Sequence, residues 1–165
     1  MRARDEAPRG GRPDVGHLIR QVRLLESLYF ERDGGERFYL TLLNARPGRL
    51  GLALDVPRVG TLMAAICMDR GRLGFHVCRG PGRELSTIET APGEPFVIPA
   101  DGGECLRLTV VRAERAAFEL RFDVPALGTV GILFRLRQDR VRAEITAARA
   151  IRVLPTRHAR LGVAL

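Results

Sequence analysis

The chain contains no lysine and no tryptophan, and aromatic residues make up only 5% of its 165 positions. With so few rings the interior must be filled by aliphatic strands, which a hydrophobic content of 45% allows. Every one of the 27 basic residues is arginine, a composition that reflects GC-rich coding and does not by itself argue for bidentate anion recognition. No apolar run reaches the roughly 18 residues that a membrane-spanning helix needs. The opening MRARDEAPRGGRPD has no apolar h-region, so a secretory signal is not expected and a cytoplasmic location is. The three cysteines, Cys67, Cys78 and Cys105, form no CxxC pair, have no histidine partner and lie in strand-like runs, where they read as small core hydrophobes. GxSxG, HExxH, P-loop and Rossmann patterns are all missing. His17, His76 and His158 are spread over three segments, and neither a metal site nor a cofactor is expected. The chain does not read as an enzyme.

What the sequence does have is a duplication. DGGERFYLTLLNARPGRLGLALDVPRVGT, from Asp33 to Thr61, returns 68 residues later as DGGECLRLTVVRAERAAFELRFDVPALGT, from Asp101 to Thr129, with 13 of 29 positions identical and no gap. Unrelated segments of this composition would share roughly two or three. Around each copy, short apolar runs alternate with turn signals, the pattern of antiparallel sheet. Strands are expected at 27–31, 37–44, 49–55, 61–68 and 72–78, and again at 95–99, 105–112, 117–123, 129–137 and 140–153. Asp33, Glu36, Asp101 and Glu104 belong to hairpin turns. Pro57 and Pro125 close strands, with Asp55 and Asp123 capping the turns that Gly60 and Gly128 complete.

Ahead of the first copy, Asp14 offers an N-cap, and Val15, Leu18, Ile19, Val22 and Leu25 follow helical spacing. An amphipathic helix over 14–27, without a counterpart in the second copy, is the expectation. Five strands per copy suffice for a small closed barrel. The domain reading is a mobile tail over 1–13, helix plus first barrel over 14–78, a linker over 79–94 (RGPGRELSTIETAPGE), a second barrel over 95–154 and a C-terminal tail over 155–165.

An N-terminal helix leading into strand, GGE, TLL and GRLGLALD resembles the first barrel of bacterial flagellar brake proteins. LRLTVVRAERAAFELRFDVPALGTVGILFRLRQDRVRAEITAARAIRV resembles the strand order of a PilZ domain. The resemblance implies two tandem antiparallel β-barrels in a non-enzymatic regulator serving a motility, pilus or secretion assembly, with cyclic di-GMP as the implied ligand. In that family an RxxxR ahead of the barrel clamps phosphate and guanine, and a DxSxxG loop lets backbone approach the base. Arg79 and Arg83 have the RxxxR spacing. The loop position reads Arg112-Ala113-Glu114-Arg115-Ala116-Ala117, with no Asp, Ser or Gly, and Arg112 and Arg115 are its candidate ligand contacts. In the first copy the corresponding loop is Asn44-Ala45-Arg46-Pro47-Gly48.

Two other readings stand beside this one. GEPFVIPADGGECLRLTVV also resembles the strand pattern of the carbon storage regulator family, and the formal charge of +8 suits RNA phosphates. That family's terminal RNA-contacting stretch has no match after Pro125, and few aromatics are available for base stacking. The third reading is a protein adaptor whose docking surface includes Leu24, Leu25, Leu28 and Tyr29.

Overall fold

The computed structural model describes residues 15–32, 35–79, 83–148 and 150–156, and these are almost entirely strand. One sheet has the order β1 (Val15–Val22), β12 (Arg140–Ala148), β11 (Gly128–Arg137), β10 (Ala117–Val124), β9 (Cys105–Ala113), β8 (Pro95–Pro99). The other runs β13 (Ile151–Thr156), β2 (Ser27–Arg32), β3 (Arg37–Arg46), β4 (Arg49–Val56), β5 (Gly60–Asp69), β6 (Arg72–Arg79), β7 (Arg83–Thr90). Every neighbouring pair is antiparallel.

The two sheets share a single core. Alternate residues of the central strands point inward, such as Leu50, Leu52 and Leu54 on β4 and Phe118, Leu120 and Phe122 on β10, and all six are sealed from solvent. The rings of Phe38 and Phe122 meet across the sheets at 5.4 Å, and those of Phe75 and Phe96 at 5.5 Å. Such cross-sheet packing makes one sandwich, not two self-contained shells. Neither sheet pairs its first strand with its last, so the expected barrel closure is not found.

The expected helix over 14–27 is also absent, and no helix occurs among the described residues, hence none long and apolar enough to cross a membrane. Residues 15–22 instead pair along the edge of β12, Leu18 with Ile145 and Val22 with Val141. Gly16 and the β-branched Val15, Ile19 and Val22 weaken a helix there, while the open edge of β12 offers a full ladder of backbone partners. The helical spacing was coincidental, since Leu18 and Val22 face the core side and Ile19 the outer side.

The segment expected as a linker, 79–94, carries β7, hydrogen-bonded to β6 from Arg83↔Arg79 to Thr90↔Leu73. Its glycines and prolines fall only at the two ends, leaving ELSTIET as strand. Residue run 140–153, expected as one strand, is split into β12 and β13, and β13 leaves its neighbour to pair with β2. The tail expected over 1–13 lies outside the described residues, as do residues 157–165 of the C-terminal one.

The 68-residue period extends beyond the matching sequence. β1 maps onto β7, β4 onto β10 and β5 onto β11 with identical bounds. Both copies carry a β-bulge at the same place, between Leu42 and Asn44 of β3 and opposite Glu119/Leu120 for β9. The turn 23–26 repeats as 91–94: Arg23 N donates to Glu26 Oε1 and Ala91 N to Glu94 Oε1, while Leu25 N and Gly93 N donate to Leu42 O and Val110 O. The consequence is an exchange: β1 precedes the first copy but sits in the second copy's sheet, and β7 precedes the second copy but sits in the first copy's sheet.

Candidate binding cleft

Strand direction gives the sandwich two ends with different chemistry. At one end, charged side chains tie the turns of the two copies together. Arg58 reaches Glu36 at 3.6 Å and Glu104 at 3.7 Å, and its carbonyl accepts from Asp101 N at 3.0 Å. Glu104 also accepts from Ala126 N at 3.0 Å, and Arg32 donates across the sheets to the Leu127 carbonyl at 2.8 Å. Thr129 Oγ1 donates to Asp123 at 2.7 Å, holding the two strands at the Pro125 turn. These acidic residues fasten turns, as their place in the repeat suggested.

At the opposite end the bulge-side turns of both copies converge. Gly48 N donates to Arg115 O at 2.9 Å, joining the β3–β4 turn to the β9–β10 turn. Met68 N donates to Gly48 O and Leu136 N to Ala116 O, the same contact 68 residues apart. Beside this junction lies an open cleft of about 640 Å³. Its apolar lining comes from Val22, Leu24, Pro47 and Leu136, and a polar rim comes from Arg23, Arg115, Arg140, Gln21, Gln138 and Asp139. Three guanidinium groups against one carboxylate leave the rim basic. Among the described residues no ion pair engages the side chain of Arg23, Arg115 or Arg140. Apolar walls with a few convergent charges are the usual make-up of a small-ligand site.

The four arginines singled out from sequence are not brought together. Arg112 and Arg115 belong to the cleft end, but Arg112 is directed to its cross-strand partner Glu119, Nε to Oε1 at 3.9 Å, and only Arg115 lines the cleft. Arg79 and Arg83 are direct cross-strand partners at the far end, where β6 finishes and β7 starts. The length of a strand, roughly 25 Å, separates the two pairs. A single nucleotide-sized ligand touches one pair or the other. Arg23 and Arg140 were missed from sequence, because one fell within the expected helix and the other in a hairpin whose position relative to the loops only the sheet order fixes.

The cysteines are not core residues: Cys67 and Cys78 are half-buried and Cys105 is exposed, all as free thiols. His76 Nε2 lies 3.1 Å from Cys78 Sγ, on alternate residues of β6 that share a face. That spacing was legible and was overlooked. Two donors do not enclose a cation, and no cluster of three ligating side chains exists among the described residues.

A second polar cluster lies on the outer face of β2 and β3. Tyr29 packs edge-on to Tyr39 with centroids 4.8 Å apart, donates to Glu31 at 2.5 Å and sits under the Arg37 guanidinium at 5.6 Å. The hydrogen bond to Glu31, aided by desolvation, raises the Tyr29 pKa above its ordinary value.

Comparison with protein-family models, with curated proteins and with solved structures finds no match to this chain.

Proposed function

We propose that the chain is a non-enzymatic regulatory binding module of PilZ-like character, in which the cleft between the two copies' loops takes an anionic ligand of the nucleotide class and thereby tunes docking onto a larger protein assembly. One observation carries the reading: the two loops that the PilZ resemblance marks for ligand binding, 44–48 and 112–117, are hydrogen-bonded to each other at the mouth of a basic cleft. Cyclic di-GMP is the ligand that the resemblance implies. The open sandwich departs from a closed barrel, and the support lies in the loops and their charge. Arg23, Arg115 and Arg140 supply fork-shaped donors for phosphate, and Val22, Leu24 and Leu136 an apolar surface for a base.

Titration calorimetry with cyclic di-GMP tests this. Binding is expected to weaken at least about ten-fold in Arg115→Ala/Arg140→Ala, since each charge-assisted hydrogen bond contributes roughly 1.5–3 kcal/mol. Arg79→Ala/Arg83→Ala should leave the affinity unchanged. Absence of heat with the unaltered chain discards the nucleotide and leaves an acidic protein segment as the cleft's partner.

A further inference from the structure

Three segments hold the same place in the 68-residue period, namely β1, β7 and β13, and the sandwich has two positions for them. β7 fills the edge of β6 and β1 fills the edge of β12 in the same register over 86–90 and 18–22: Leu18↔Ile145 and Val22↔Val141 repeat Ser86↔Val77 and Thr90↔Leu73, with a bulge at Val77/Cys78 shifting the start of β7 alone. β13 is left to the edge of β2.

The two filled positions are tied differently. β7 directly follows its partner β6 in the chain and continues through the turn 91–94 into β8. Of the described residues, only the turn 23–26 ties β1 to the rest of the molecule. That turn is strained where its counterpart is not. Gly93 takes φ 94°, which glycine adopts freely, whereas Leu25 takes φ 65°, a left-handed conformation that is unfavourable for leucine. β1 is also shallowly seated. Of the side chains at 16–22 only Val22 is buried, while Leu18 is 37% and Ile19 46% exposed. The hinge adds Leu24 at 58% and Leu25 at 56%, so four of the seven exposed large apolar side chains among the described residues lie on this strand and its turn.

We infer that β1 is exchanged between two copies of this chain. The hinge 23–26 straightens, the β1 of each copy enters the β12 position of the other, and the two hinges pass antiparallel so that Leu24 and Leu25 cover one another. Every β1–β12 backbone hydrogen bond of the single copy is remade in the pair. What is given up is the turn's own set, Leu25 N to Leu42 O and Glu26 N to Arg23 O, together with the Arg23 N to Glu26 Oε1 bond. What is gained is relief of Leu25 and burial of leucine surface in a closed two-fold pair. Short strained hinges are the ones that favour such exchange.

The test places cysteines at Cα partners of β1 and β12, Ile19→Cys with Glu144→Cys, in a background of Cys67→Ala, Cys78→Ala and Cys105→Ala. After oxidation, denaturing electrophoresis without reductant should show a covalent dimer whose share rises with the protein concentration at which it was equilibrated. Crosslinking within single chains at every concentration overturns the inference, and so does a dimer by light scattering whose crosslinks all stay within one chain. Because the cysteine variants can fail to fold, light scattering on the otherwise unaltered chain gives a second reading. A concentration-dependent dimer is expected, with an association constant reduced on the order of ten-fold or more in Leu25→Gly, where both hinges lose their strain. A monomer throughout, or a dimer indifferent to Leu25→Gly, contradicts it.

Discussion

Ala126 holds φ 64° at the third position of the turn Val124-Pro125-Ala126-Leu127, closed by Leu127 N to Val124 O at 3.1 Å. Proline followed by a left-handed residue is a type II turn, which glycine suits and alanine does not. Ala126→Gly should therefore raise stability by about 0.5–1 kcal/mol, read as a melting-temperature increase of about 1–4 °C. Arg58, with φ 67° in the matching turn, is not an equivalent target, because its guanidinium also ties Glu36 to Glu104. Two tyrosines make another residue accessible, since their ionisation is read directly by ultraviolet absorbance. Tyr29 should titrate above the ordinary phenol value, and Glu31→Gln should bring it down by removing the charged acceptor. An unchanged titration in that variant would show that the hydrogen bond is not the cause.

Among the elements, the β3–β4 turn links fold to cleft. Gly48 has φ 78°, and a Cβ there would stand 3.0 Å from the Met68 carbonyl while its amide holds Arg115 O. Gly48→Ala should cost about 1–2 kcal/mol in denaturant unfolding and weaken anion binding in the cleft. Its counterpart Ala116 is not left-handed, which explains why that loop carries alanine without penalty. The strands from β2 to β6 and β8 to β11 were legible to within two residues, because alternation and Pro/Gly turns are local signals, whereas the expected strand over 140–153 hid the break between β12 and β13. β1 and β7 were not legible. Their sequences, VGHLIRQV and RELSTIET, match at no aligned position, and what makes each a strand is a long-range edge. The cleft was half legible: Arg115 came from the repeat and the resemblance, whereas Arg23 and Arg140 depend on which turns the sheet order gathers.

At the scale of the whole molecule, duplication predicted two units and the structure shows one. Each sheet borrows its edge strand from the other copy, and each inner face is covered by the opposite sheet, with Phe38 on Phe122 at the centre. Phe38→Ala should then destabilise the entire chain by about 3–5 kcal/mol in a single transition, because no second core exists to unfold separately. The most direct test of this architecture is the amide proton–nitrogen spectrum of residues 1–90 expressed alone. That fragment contains β2 to β7 but lacks the sheet that covers their inner face. Collapsed, poorly dispersed resonances are predicted, becoming dispersed when residues 91–165 are added. A well-dispersed spectrum from a monomeric fragment would mean that the first copy closes on itself, and the shared sandwich, with the cleft built from both copies, would be wrong.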